Sequence, residues 1–125
     1  MHTNSTFLSQ AAELLGPRGL TGDAEQIAPW LTDWRGRYTG QALAMASPAS
    51  THELSALVRL CHQHGVPIVP QGGNSGMSGG ATPFDSGREL LLSLRRMNQI
   101  RGIDSASRTA TCDAGVILQV LHEAA

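Results

Sequence analysis

Apolar residues recur along the chain at spacings that alternate between those of helices and those of buried strands. The first apolar set predicts an amphipathic helix and consists of Phe7, Leu8, Ala11, Leu14 and Leu15. Gly16 and Pro17 follow it and predict the end of that helix. A second short helix is predicted over residues 24–27, with Thr21 or Asp23 as its N-cap.

The middle of the chain predicts a β-α-β unit. Residues 41–47 are short and apolar, as in a buried strand. Ser50 and Glu53 have the spacing of a capping box and predict the start of a helix that Gly65 ends. Residues 67–70 predict the next strand, parallel to the first. The apolar face of the intervening helix comprises Leu54, Leu57, Val58 and Cys61.

The last third of the chain predicts a buried strand, a hairpin and a final helix. The strand covers residues 90–94, and we expect Arg95 and Arg96 to cap the turn that follows it. Residues 100–103 and 109–113 predict the hairpin. The final helix has an apolar face that, if exposed, would drive self-association, and this face comprises Ile117, Val120, Leu121 and Ala124.

Length and charge exclude several classes of protein. The 125 residues suggest one domain or part of one, and the net charge of −1 gives no electrostatic footprint for nucleic acid. All nine basic residues are arginines, which excludes a phosphate-loop lysine and a Schiff-base lysine. Cys61 and Cys112 have no metal-binding or disulfide spacing, so we expect reduced, buried thiols and no metal site.

No targeting or membrane segment is expected from the sequence. The N-terminus lacks a basic stretch followed by an apolar core, as a signal peptide would have. The longest uncharged stretch, residues 60–84, is rich in glycine and proline and does not suit a transmembrane helix. We therefore expect a cytoplasmic protein without a transmembrane segment.

A glycine-rich loop, residues 71–80, is the main candidate for a binding function. Five of the fourteen glycines lie in it, which suggests positive φ angles or the close approach of a ligand. Successive backbone N–H groups in such a loop can hold an anion. The spacing does not match a nucleotide-hydrolase phosphate loop or a dinucleotide fingerprint. The loop therefore either binds an anion or nucleotide, or is a structural surface loop.

Several motifs together resemble one family, the FAD-linked oxidases of the vanillyl-alcohol oxidase and p-cresol methylhydroxylase type. Its most similar branch is that of the D-2-hydroxyacid dehydrogenases, which includes D-lactate dehydrogenase, the flavoprotein of glycolate oxidase and D-2-hydroxyglutarate dehydrogenase. The resemblance covers residues 33–125 in unbroken order. The segments that carry it are residues 34–38 (WRGRY), 42–44 (ALA), 48–51 (PAST), 67–76 (PIVPQGGNSG) with Gly79, Gly80 and Pro83, 93–98 (SLRRMN) and 113–118 (DAGVIL).

The resemblance implies an α+β fold: the N-terminal part of a two-subdomain, non-Rossmann FAD-binding domain. Residues 1–38 would be a helical lead-in, and residues 39–125 the first subdomain and the start of the second. The cofactor would be FAD, bound without a covalent link, because Asn74 stands where some members have a flavin-linked histidine. The implied cofactor-binding residues are Pro70, Gln71, Gly72, Gly73, Asn74, Ser75, Gly76, Met77 and Gly115.

The implied activity is oxidation of a D-2-hydroxyacid by hydride transfer to FAD, within a longer enzyme whose substrate domain and catalytic residues lie beyond this chain. No catalytic residue is assigned here. A non-catalytic module that binds a nucleotide or a protein, and an inactive fragment, remain alternatives.

For three residues in or near the loop, the sequence allows two different roles. Met77 would touch the flavin or fill the core, and Arg35 and Arg37 would reach an anion or lie in solvent. Trp30, Trp34 and Tyr38 recur every four residues, and we expect them to pack on a neighbouring surface.

Overall fold

A computed structural model describes residues 2–125, with side chains from residue 5 onward. Its helices are α1 (His2–Leu15), α2 (Ala24–Ile27), α3 (Thr51–His64) and α4 (Leu118–Ala124). Its strands are β1 (Leu20–Thr21), β2 (Ala44–Ala46), β3 (Ile68–Gln71), β4 (Leu90–Ser93), β5 (Ile100–Asp104) and β6 (Thr109–Cys112). No helix among these is long and apolar enough to cross a bilayer.

Four strands form the central sheet in the order β1-β2-β4-β3. β2 and β3 both run parallel to β4, which lies between them, with Met45 and Val69 both opposite Leu91. The predicted parallel arrangement of β2 and β3 is therefore confirmed. β1 adds an antiparallel edge to β2 and was not predicted, since two residues carry no periodicity.

The two faces of the sheet bury two separate apolar clusters. Side chains alternate between the faces of a strand, so Leu90 and Leu92 of β4 face one cluster and Leu91 faces the other. The first cluster packs under α1 and α3 and includes Phe7, Ala11, Leu15, Leu57 and Cys61. The second lies under α2 and the 3-10 turn Ala28–Trp30, and includes Ile27, Met45 and Val69.

α3 begins and ends where the sequence predicts. The Ser50 Oγ accepts a hydrogen bond from the Glu53 N–H (3.2 Å), and the Glu53 Oε1 accepts one from the Ala49 N–H (3.0 Å). Gly65 ends the helix with a φ of 65°, a left-handed conformation that glycine adopts without steric cost. α2 is also confirmed, with Asp23 as its N-cap: its Oδ1 accepts a hydrogen bond from the Glu25 N–H.

Two expectations about the strands need correction. The strand predicted over residues 41–47 is confined to β2, because the N–H groups of Gln41 and Leu43 donate instead to the carbonyls of Phe84 and Glu89. Cys112 was expected in the core but is exposed. It lies on β6, which pairs with β5 in a separate two-stranded sheet whose residues are largely exposed.

Candidate functional site

The glycine-rich loop leaves the carboxyl end of β3 at Gln71, whose side chain is 1% exposed. The Gln71 Nε2 donates hydrogen bonds to the carbonyl oxygens of Trp30 (2.9 Å) and Ala81 (3.0 Å). The amide therefore ties the start of the loop to its end. The Gln71 Oε1 is buried without a hydrogen-bond partner among the described residues.

A turn formed by residues 32–39 lies against the loop and supports it at three points. The Asn74 Nδ2 donates to the Thr32 carbonyl oxygen (2.8 Å), and Asn74 itself has a φ of 57°. The Arg35 Nη2 donates to the Met77 carbonyl oxygen (3.3 Å). The ring of Tyr38 lies only 3.0 Å from where a Cβ on Gly79 would stand. These contacts explain why the loop contains glycine at position 79 and an amide at position 74.

Asp33 fixes the conformation of this turn. Its Oδ1 accepts hydrogen bonds from the backbone N–H groups of Arg37 (2.7 Å) and Tyr38 (2.9 Å). The hydrogen bond from the Tyr38 N–H lowers the pKa of the Asp33 carboxyl below its usual 3.8, although burial acts to raise it. The N–H groups of Arg37 and Arg35 and the charge of Arg35 lower this pKa further. The ionised side chain therefore holds the turn at neutral pH.

An open cavity of about 550 Å³ lies between the glycine-rich loop and the segment that enters α4. A Cβ on Gly72 or Gly73 would meet no other atom within 4 Å, so the backbone here is open to a ligand. Neither glycine has a positive φ. The cavity is lined by Gly72, Gly73 and Ser75 from the loop, by residues 114–119 on the opposite side, and by Trp30 and Arg95.

Gly115 lines the same cavity, but its lack of a side chain has another cause. A Cβ at this position would overlap the carbonyl oxygen of Leu94 and approach that of Met97 to 2.7 Å. The Gly115 N–H donates to the Met97 carbonyl oxygen (2.8 Å). Glycine is required here because the backbone of residues 113–116 packs directly on the turn that follows β4.

The structure brings together four of the nine residues proposed to bind a cofactor: Gly72, Gly73, Ser75 and Gly115 line one cavity. Gln71 and Asn74 use their side-chain amides to hold the loop. The remaining three, Pro70, Gly76 and Met77, are exposed and do not line the cavity. Met77, 55% exposed, does not fill the core. The assignment of these residues to a cofactor stays a prediction.

The aromatic residues near the loop behave differently from one another. Trp30 is partly buried against the second cluster and Tyr38 packs on Gly79, as expected. Trp34 is 62% exposed, so its expected packing is wrong. Arg95, which the sequence places only in a turn, lines the cavity. No periodicity shows which way a side chain points after a strand has ended.

Neither thiol offers evident redox chemistry at this site. Burial raises the pKa of the Cys61 thiol to about 11, so it is protonated at neutral pH. Cys112 lies on the separate hairpin and does not line the cavity. Among residues 2–125, no group of three or more histidine, cysteine, aspartate or glutamate side chains is arranged to hold a metal ion.

Comparison with known proteins agrees with the resemblance seen in the sequence. Residues 42–125 match the model of a family described as "FAD binding domain". The D-2-hydroxyglutarate dehydrogenase of Xanthomonas citri is 42% identical over 118 residues, 94% of this chain and 24% of that protein. The mitochondrial D-2-hydroxyglutarate dehydrogenase of Arabidopsis thaliana is 35% identical over 119 residues, 94% of this chain and 21% of that protein.

The fold is also that of a solved protein. The crystal structure of p-cresol methylhydroxylase superposes with a TM-score of 0.79 at 18% identity, over 99% of this chain and 24% of that one. This likeness confirms the expected α+β fold. The chain spans about a fifth of the length of the curated relatives it matches.

Proposed function

We propose a function from one premise: this chain belongs to the family of FAD binding domains. We propose that it forms the diphosphate-binding part of the flavin site in a longer enzyme that oxidises a D-2-hydroxyacid of the lactate, glycolate or 2-hydroxyglutarate type. The observation that carries the proposal is the cavity that joins Gly72, Gly73 and Ser75 to the segment around Gly115.

The residues that line this cavity suit a diphosphate. Gly72 and Gly73 leave the space of a missing Cβ open, so an anion can approach the backbone closely. The Ser75 hydroxyl adds a hydrogen-bond donor. Asn74 and Gln71 keep the loop in one conformation, which reduces the ordering cost of binding.

The chemistry of the proposed reaction belongs to the cofactor. When bound, FAD would supply the acceptor for the hydride of the hydroxyacid α-carbon, and the hydroxyl proton would pass to solvent as the 2-oxoacid forms. The residues of this chain position the cofactor and bind its charge. We assign none of them a catalytic role.

The test is a titration of the 125-residue chain with FAD, followed by tryptophan fluorescence, because Trp30 lines the cavity. We expect saturable binding that Gly73→Val abolishes by filling the open space beside the backbone. Gly22→Val is the matched control, since a Cβ there also meets nothing within 4 Å and Gly22 lies outside the cavity. Absence of FAD binding by the folded chain, or unchanged binding by Gly73→Val, would contradict the proposal.

A second candidate is a non-catalytic module that binds a nucleotide in the same cavity. The lining by Gly72, Gly73, Ser75 and Arg95 favours it, because these groups suit the phosphates of any nucleotide. Titration with ADP and with FAD separates the two functions, because a module that recognises only the nucleotide binds both ligands with the same affinity. An enzyme part is expected to bind FAD more tightly.

We also propose that the protein acts in the cytoplasm and that it self-associates. Both cysteines are free thiols, which suits a reducing compartment, although the Arabidopsis relative is named as mitochondrial. Fractionation of cells that express the tagged protein tests the compartment.

The exposure of Ile117 (67%) and Val120 (47%) supports self-association.

A further inference from the structure

Two consecutive arginines after β4 have different surroundings. The Arg96 Nη1 donates a hydrogen bond to the Ser47 carbonyl oxygen (2.8 Å), so its guanidinium ties the turn to the end of β2. Arg95 instead extends into the cavity beside the glycine-rich loop. Arg96 thus makes a structural hydrogen bond to the end of β2, which differs from the turn cap that the sequence suggested for both residues.

The position of the Arg95 guanidinium is set by Trp30. Its Cζ atom lies 5.2 Å from the centroid of the indole ring, within the range of a cation–π interaction. The backbone of Arg95 is held as well, since its carbonyl oxygen accepts a hydrogen bond from the Asn98 Nδ2 (3.2 Å). The cation–π contact therefore favours one position of the exposed guanidinium before any ligand arrives.

The charge of Arg95 is not neutralised by a neighbour. No carboxylate within residues 2–125 forms an ion pair with it, whereas Arg101 is paired with Asp113. Among the residues that line the cavity, Arg95 carries the only charged side chain. A positive charge that faces a cavity of otherwise neutral groups, with no acidic partner, suits an anionic ligand.

We propose that the Arg95 guanidinium, held over Trp30, binds a phosphate of the dinucleotide in this cavity. It supplies the positive charge that the glycine-rich loop itself lacks. The inference rests on the proposed function, because it takes the same cavity as the FAD site. Arg95 lies outside the loop, and its side chain would bind the phosphate together with the loop backbone and Ser75.

The experiment measures FAD affinity for the 125-residue chain and for three variants at low and high salt. We expect Arg95→Gln to weaken binding about tenfold, the lower end for a hydrogen bond to a charged group, because Arg95 is exposed. Salt should weaken FAD binding to the unchanged protein more than to this variant. Arg95→Lys keeps the charge but loses the planar guanidinium group, so its affinity should be intermediate.

Arg59→Gln is the matched control, because it removes the same charge from the exposed face of α3, outside the cavity. It should bind FAD like the unchanged chain, and circular dichroism establishes that each variant is folded. Equal affinities for Arg95→Gln and Arg59→Gln would overturn the inference and leave the proposed function standing. An Arg95→Lys variant no better than Arg95→Gln would also overturn it. Absence of FAD binding by the unchanged chain would overturn both proposals.

Discussion

A single carboxylate, that of Asp33, organises the turn on which the glycine-rich loop rests. Its side chain is 5% exposed, and one oxygen accepts two backbone hydrogen bonds. We expect Asp33→Ala to lower the midpoint of thermal unfolding and to weaken FAD binding, because the turn that supports Asn74 and Met77 loses its anchor. Asp85→Ala is the control, since Asp85 is exposed and should alter neither quantity. Equal melting temperatures for the two variants would contradict this role.

The lowered pKa of Asp33 also predicts a dependence of stability on pH. A carboxyl group with a lower pKa in the folded state binds fewer protons there than in the unfolded chain. The contribution of Asp33 to the free energy of unfolding is therefore complete at pH values above 3.8, the ordinary pKa of the unfolded chain. It is lost as the pH falls through the lower pKa of the folded state. Urea unfolding of the unchanged chain and of Asp33→Ala should differ by a constant free energy from about pH 6 to about pH 4.5. The difference should narrow below pH 3.8, and a difference independent of pH down to about pH 2 would contradict the assignment.

Of the individual residues at the site, the sequence identifies those of the glycine-rich loop but not all the residues that contact it. The glycine density of residues 72–80 is visible in the sequence because it is unusual for any packed element. The approach of Trp30 and Arg95 depends on tertiary structure, since the two residues are far apart in the chain and no local pattern records their contact. For the same reason the sequence does not show that Gly115 is required by the Leu94 carbonyl.

Among the elements, α3 has the most complete set of local signals, and its N-cap can be tested directly. Ser50→Ala removes the hydrogen bond to the Glu53 N–H and should cost about 1 kcal/mol of unfolding free energy. Ser55→Ala is the control on the exposed face of the same helix, where alanine has the higher helix propensity and should be neutral or slightly stabilising. Urea unfolding measures both, and equal effects would show that the cap does not contribute.

The contact between the turn after β4 and the segment before α4 depends on Gly115. Gly115→Ala places a methyl group against the carbonyl oxygens of Leu94 and Met97, and backbone atoms there cannot move away easily. We expect a loss of about 2 kcal/mol or more in unfolding free energy, the range of overpacked sites. Gly102→Ala, whose added Cβ meets nothing within 4 Å, should change stability far less. Similar stability of the two variants in urea would contradict the close packing.

The strands that are more buried are also the ones that the sequence predicts more completely. β4 is a fully buried strand and β3 is a half-buried one, and both were predicted within one or two residues. The hairpin of β5 and β6 was predicted at residues 100–103 and 109–113, but its exposure was not. The expectation for Cys112 failed because a strand that pairs only with its hairpin partner has no second layer over it.

Over the whole molecule, burial is uneven. The two apolar clusters draw on residues 7–94, and from residue 101 to the end no side chain is buried. The single ion pair of this region joins Arg101 of β5 to Asp113, which directly follows β6, and it lowers the pKa of the Asp113 carboxyl. A pair whose arginine side chain is 56% exposed contributes little to stability. Apolar side chains near the end of the chain therefore remain exposed, as do Trp34, Met77 and Phe84 before it.

This distribution predicts that the 125-residue chain self-associates through α4 and its N-cap residue Ile117. Ile117, Leu118 and Val120 are 67%, 64% and 47% exposed, and pairing two copies would remove this apolar surface from water. Light scattering after size-exclusion chromatography should show a mass that rises with protein concentration, and Ile117→Ser with Val120→Ser should return the chain to a monomer. Val58→Ser, on the exposed face of α3, is the control and should leave the mass unchanged. A constant monomeric mass for the unchanged chain would contradict the prediction, and an equal effect of Val58→Ser would place the interface elsewhere.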